Sequence, residues 1–208
     1  VTEYRDSSEK LLTDYPRPSL AVDTAVLTVK DGALCVALVQ NKEGWRLPGT
    51  FAHERETLSD AVLRSLHDKA HIMGLRPRQL HVFDAPNRDT RGWVISVAHL
   101  VAVPHASISH VELKPVSQVG HLIYDHNLIL ELAVHTLRDS YRASPDPERL
   151  LDPEFTLLEL LRLHSAIAGE PLGKDTFRRR VLGELVETDA YKPGLVGKPA
   201  KLFRHAEL

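Results

Sequence analysis

Two groups of ionisable residues have the types and spacing to do chemistry. The first lies in LPGTFAHERETLSDAVLRSLHDKAHI, where Glu54, Glu56, Arg64, Asp68 and Lys69 follow Gly49. On a helix, side chains at i, i+3 and i+4 share a face. Three carboxylates at that spacing would offer magnesium the hard oxygens it requires, and with them the charge stabilisation that phosphoryl chemistry depends on. In RSLHDK one such set is Ser65, Asp68 and Lys69, which carries a single carboxylate. An ammonium repels a divalent ion and can only donate. The second group is KDTFRRR, with Lys174, Arg178, Arg179 and Arg180 within seven positions. Arginines so placed reach guanines or phosphates if their helix enters a DNA groove.

These groups need elements to hold them. Ser19–Val29 and Ala33–Gln40 are rich in β-branched and apolar residues, and Asp31-Gly32 between them is a hairpin signal. Thr57–Ala70 reads as a helix with Leu58, Ala61, Val62 and Leu66 on its apolar side and Thr57 or Ser59 as cap. Leu80–Ala85 and Trp93–Val103 read as strands, the second central. Asn127–Tyr141 reads as a helix with Leu128, Leu132 and Leu137 inward. The prolines and acids of ASPDPE, Ala143–Glu148, then oppose regular structure. The expected division is 1–144 and 145–208. Pro153–Ala168 and Lys174–Leu185 read as two helices around GEPLG, followed by a strand, a long turn and a strand. That is a winged helix-turn-helix. The expected fold class is therefore α/β (α+β), a mixed sheet sandwiched by helices with a small winged-helix domain behind it.

WRLPGTF through ETLSDAVLRSLHDKAHI resembles the Nudix box, with one extra residue between glycine and first glutamate. Gly49, Glu56 and Arg64 match the family's glycine, glutamate and arginine. Ser65, Asp68 and Lys69 fall on its carboxylate triad, and His71 on its second glycine. The resemblance implies a Nudix scaffold without a working metal site: no catalytic residue, no metal and no required cofactor. By motif position it nominates Arg46, Arg64, Arg88 and Arg91 for a diphosphate, since the guanidinium fork binds two oxygens at once. RDTRG, Arg88–Gly92, is similar to a turn of the family with Thr90 in place of proline, which implies a looser turn. Trp45 or Trp93 is a candidate to stack on adenine, with core packing the alternative for each and the better reading for Trp93.

The remainder of the chain sharpens the resemblance. FTLLELLRLHSAIAGEPLGKDTFRRRVL and GKPAKLFR are similar to the winged helix of the Nudix-related transcriptional regulators, the NrtR family, and the likeness runs from Pro18 onward. It implies a dimeric repressor of NAD-metabolism genes on a near-palindromic operator in double-stranded DNA, with ADP-ribose or a related NAD-derived nucleotide as effector. Phe177 and Val181 would pack inward and leave Thr176, Arg179 and Arg180 outward, with Arg178 nearby. Thr156 could take a phosphate at a helix N-terminus, and Lys174, Lys198 and Lys201 could add backbone contacts.

Bulk properties are compatible. A net charge of −2 means that any nucleic-acid surface is local. Cys35 is the lone cysteine, so no intrachain disulfide forms. No apolar run approaches a membrane span, and VTEYRDSSEK is not a signal peptide. The cytoplasm is the expected compartment. His67 and His71, at i and i+4, read as solvated. The competing function is a Nudix hydrolase of ADP-ribose or NADH-type substrates with a shifted base (Glu54, Glu56 or Glu112) and an accessory nucleic-acid domain.

Overall fold

The structure is a computed structural model that describes residues 4–193 and 199–206. Its first part is a seven-stranded mixed sheet. Strand β1 (Ser19–Lys30) turns through Asp31 and Gly32, both at positive φ, into antiparallel β2 (Ala33–Gln40). That turn suits strand twist. Two short strands not expected from sequence follow, β3 (Trp45–Arg46) and β4 (Gly49–Phe51), then helix α1 (Leu58–Ala70), β5 (Arg78–Phe83) and β6 (Val94–Ala102). Another short strand, β7 (Glu112–Pro115), precedes helix α2 (His126–Ala143). The order is β3-β2-β1-β6-β5, with β4 on β1 and β7 on β2. Strand β1, not β6, is the middle; β6 runs parallel beside it from Ser19↔Val94 to Leu27↔Ala102. One edge of β1 is therefore filled by β6. The other is shared by β4 at its start and β2 at its end.

Alternation along β1 assigns the two faces. Val22 and Val26 pack with Ala61, Val62 and Leu66 of α1. Ala25 and Leu27 pack with Ile129, Ala133 and Leu137 of α2. Thr57 caps α1 in a reciprocal box with Asp60. His71, where the Nudix pattern has glycine, closes α1 in the left-handed region at φ 54°, the conformation that favours glycine there. The apolar face of α2 differs from expectation at one residue: Leu128 is 56% exposed, and Ile129 and Leu130 take the inward positions.

The second part begins with a strand, β8 (Glu154–Thr156), where a helix from Pro153 was expected. Thr156 caps α3 (Leu157–Ala168), and Gly169 ends it in the left-handed region. Helix α4 (Lys174–Val181) is shorter than its expected range. Leu182–Glu184 tightens to a 3-10 turn, and Leu185 already belongs to β9 (Leu185–Lys192). Strand β10 (Ala200–His205) lies between β8 and β9 in an antiparallel sheet. The order strand–helix–helix–hairpin is a winged helix. Phe155, Leu160, Ile167, Phe177 and Phe203 form its interior, and they are continuous with the α2 side of the larger sheet.

The segment that joins the two parts is fastened. Asp146 is buried. Its carboxylate accepts from the Tyr141 hydroxyl (2.6 Å) and from the amides of Leu150 (2.9 Å) and Leu151 (3.1 Å). Arg138 of α2 donates to the Ile167 carbonyl near the end of α3 (2.9 Å). Among the described residues no helix is long and apolar enough to cross a membrane.

Candidate functional site

The residues singled out in the Nudix-like part separate into scaffold and cleft. Glu56 and Arg64 are scaffold. Arg64 donates from Nε (2.7 Å) and Nη2 (2.8 Å) to the two Glu56 oxygens, and also to the Phe51 carbonyl (3.0 Å). The Arg64 guanidinium, with the His53 amide, holds the Glu56 carboxyl down at about 2. This pair pins the loop ahead of α1 against its wet face. Arg64 does not line the cleft beside it. Nor does Trp45, whose ring carries the Lys114 ammonium 4.2 Å from its centre. Trp93, expected in the core, is 50% exposed.

Arg46, Arg88 and Arg91 do come together, with Gly49 and Lys69, in a polar cleft of about 200 Å³. Strand register explains the floor. Gly49 pairs with Asp23, and a Cβ on Gly49 would lie 1.8 Å from Asp23 Oδ1. Only glycine allows that approach. Asp23 is buried. It accepts from the Ser96 hydroxyl (2.6 Å), with His126 Nε2 at 3.4 Å and Arg88 Nη2 at 3.7 Å. Leu47 donates its amide to His126 Nδ1 (3.0 Å), which directs the protonated Nε2 at Asp23. Burial lowers the His126 pKa and keeps the ring neutral.

Arg88 is buried and bound twice by Asp125, Nε at 2.8 Å and Nη2 at 2.6 Å. Arg91 is bound twice by buried Asp89 and lies between the rings of Phe51 (5.1 Å) and Tyr124 (4.6 Å). Asp89 also accepts the Arg91 amide (2.9 Å), so the Arg88–Gly92 turn is tied rather than loosened by Thr90. Tyr124, at φ 57°, donates to Glu43 (2.7 Å), and burial with that carboxylate pushes its hydroxyl up to about 12.

The triad positions diverge. Ser65 is buried with its hydroxyl unpartnered. Asp68 is half exposed and holds His67 Nδ1 at 2.8 Å. Lys69 turns into the cleft and donates to the Gly49 carbonyl. Burial, and then nearby Arg46, lower its pKa. Among the described residues no three His, Cys, Asp or Glu side chains gather as a metal would require.

A second hollow, about 750 Å³, adjoins the cleft and shares Arg88 and Tyr124 with it; His81, Phe83, Ile123 and Leu128 supply apolar walls. A larger hollow, about 1020 Å³, lies between the sheet and α3 and contains none of the nominated ligand residues. Sequence reasoning missed Asp23, Asp89, Tyr124 and His126. A signal existed for Asp23, the sole acid in an apolar strand.

In the winged helix, Phe177 and Val181 are buried while Lys174, Thr176, Arg178, Arg179 and Arg180 are exposed. The side chains of Lys174, Thr176, Arg178 and Arg179 make no hydrogen bond or ion pair among the described residues. Arg180 bends back over Phe177 (5.3 Å) and donates to His164 Nδ1 (3.1 Å). His164 Nε2 in turn donates to the Pro145 carbonyl (2.5 Å). Thr156 is a correction. It is buried, and both its hydroxyl and its amide are committed to Glu159, leaving no donor for a phosphate. Lys201 is paired with Glu187 on the adjoining strand (2.7 Å). Lys198 lies outside the described residues.

A Nudix-like sheet fused to a winged helix with an outward basic face defines a class, the ligand-sensing transcriptional regulators. Residues 147–205 match the NrtR DNA-binding winged helix domain. The chain is 33% identical over 214 residues to the ADPR responsive transcriptional repressor NtrR of Acinetobacter baylyi, covering 93% of this chain and 84% of that one. It superposes on Shewanella oneidensis NrtR complexed with a 27mer DNA with a TM-score of 0.72, 32% identity, and coverage of 90% of this chain and 93% of that one. The NUDIX domain of Shewanella oneidensis NrtR complexed with ADP ribose matches with a TM-score of 0.55 and 29% identity, over 62% of this chain and 95% of that one. The chain belongs to the NrtR family of transcriptional regulators.

Proposed function

We propose that this protein is a dimeric, cytoplasmic repressor of NAD-metabolism genes that binds a near-palindromic operator and is released by ADP-ribose or a related NAD-derived nucleotide. The observation that carries the reading is the cleft. Four cations, Arg46, Lys69, Arg88 and Arg91, line it together with Asp23 and Asp89, and Lys69 stands at a position where the Nudix pattern has a carboxylate. Guanidinium and ammonium groups suit a diphosphate, and the adjoining apolar hollow has room for a nucleoside.

Magnesium does not fit the donors present. It takes hard oxygens in near-octahedral array. Here the triad positions offer one hydroxyl buried beneath the helix, one carboxylate turned to solvent and one ammonium. Glu56, the other box carboxylate, is locked by Arg64. The cleft therefore holds a nucleotide without cutting it. In this reading residues 1–144 sense the ligand and 145–208 bind DNA, a division supported by the winged-helix match over 147–205. Thr176, Arg178 and Arg179 face outward for the major groove, joined by Lys174 at the start of α4.

Effector binding shifts the DNA-reading units only if it favours one arrangement of the dimer over another. The test is fluorescence anisotropy of the purified protein on its own upstream DNA, at two salt concentrations because phosphate contacts are salt-dependent. Competitor-resistant binding that ADP-ribose weakens is the expected result. DNA affinity no greater than that of an unrelated acidic protein, or magnesium-dependent turnover of ADP-ribose or NADH, would refute it.

A further inference from the structure

The four cations of the cleft are not equivalent. Arg88 is neutralised by Asp125 and Arg91 by Asp89, each through two hydrogen bonds. Among the described residues no carboxylate makes an ion pair or hydrogen bond with Arg46 or Lys69, although Asp23 lies in the same cleft. Arg46 Nε is shielded from water and makes no hydrogen bond among the described residues. Lys69 has three donors. One goes to the Gly49 carbonyl, and no described residue takes the other two. The carbonyl it holds is itself fixed, because Gly49 lies tight against Asp23. Burial and the neighbouring guanidinium disfavour the Lys69 charge, and Asp23 and Asp68 offset this only in part, neither being in contact with the ammonium. An anion placed between Lys69 and Arg46 would relieve both.

We propose that Lys69 is a tethered replacement for the divalent cation of a Nudix site, so that the effector's diphosphate is held by Lys69 and Arg46 without magnesium. The proposal rests on the reading of the cleft as a diphosphate site and deepens it. A magnesium ion carries two charges and needs carboxylates to seat it. Lys69 brings one charge and its own anchor, which is sufficient to bind an anion but does not activate water at neutral pH.

The experiment is calorimetric titration of the full chain with ADP-ribose, and separately with inorganic pyrophosphate, in EDTA and in magnesium. Wild-type affinity is expected to be the same in both buffers to within about twofold. Lys69→Met is expected to weaken binding by about 10- to 100-fold, the worth of a hydrogen bond to a charged group, and Lys69→Arg to recover most of it. Retained DNA binding by Lys69→Met shows that the fold stands; if that variant fails to fold, Lys69→Gln takes its place. Wild-type binding that requires magnesium, or Lys69→Met and Lys69→Gln binding as wild type, overturns the proposal alone. A wild type that binds neither probe in either buffer overturns the effector reading and this proposal with it.

Discussion

Arg88 donates two hydrogen bonds to Asp125, at 2.8 and 2.6 Å, and stands 3.7 Å from Asp23. One buried guanidinium therefore serves two carboxylates, one from β1 and one at the start of α2. Breaking a buried pair by removing one partner leaves uncompensated charge and costs about 3–5 kcal/mol. Arg88→Ala is expected to lose that much stability in urea denaturation. Arg142→Ala, whose pair with Asp139 is solvent-exposed, is expected to lose less than about 1 kcal/mol.

His164 ties α4 to the junction, accepting from Arg180 and donating to the Pro145 carbonyl. Burial lowers its pKa to about 4. The folded value lies below the ordinary 6.5, so the unfolded chain binds the extra proton first. The contribution of the neutral ring is fully present above about 6.5 and is lost as pH falls toward 4. Between pH 7 and pH 5 this amounts to about 2 kcal/mol. His164→Gln is expected to flatten the stability profile over that interval. A profile as steep as wild type would show that other groups set it.

Gly49→Ala would place a methyl 1.8 Å from Asp23 Oδ1 and 2.9 Å from the Val22 carbonyl. The backbone must give, at a cost of about 1–3 kcal/mol. Gly120→Ala meets nothing within 4 Å and is expected to stay within about 0.5 kcal/mol of wild type. Thermal melts of the pair distinguish a steric requirement from a general loss of glycine.

On DNA, Arg179→Ala is expected to reduce the slope of log affinity against log salt by about 0.9 if it meets a phosphate, or to cost about 1–3 kcal/mol at one base pair if it meets a base. Lys201→Ala is expected to do less, since Glu187 already occupies its ammonium. Equal losses from both variants would place the wing on a par with α4.

Much of the fold was legible because local chemistry agreed with it. Asp31-Gly32 marked the first hairpin, Thr57 marked the start of α1, and Phe177 with Val181 marked the inner face of α4. Failures came where distant partners decide. Strand β8 exists only because β10 returns to pair with it, whereas the start of α3 at Leu157 was a local signal overlooked, the capping box of Thr156 and Glu159. The composition of ASPDPE reads as a spacer, yet Asp146 is a buried acceptor for three donors. In the cleft, motif position nominated Arg46, Arg88 and Arg91, which line one cleft in the structure. It also nominated Arg64 and Trp45, which do not line that cleft and whose side chains meet Glu56 and Lys114. Motif position records where a residue falls along the chain and says nothing of which neighbour claims its side chain.

Helix α2 touches the cleft at one end, through Asp125 and His126, and the winged helix at the other, through Arg138 and Tyr141. Its 18 residues span about 27 Å. A rod of that length is a lever. A tilt of about 2° around the cleft end carries the Tyr141 end through about 1 Å, one third of a hydrogen bond's length, delivered directly to the segment on which α3 and α4 are mounted.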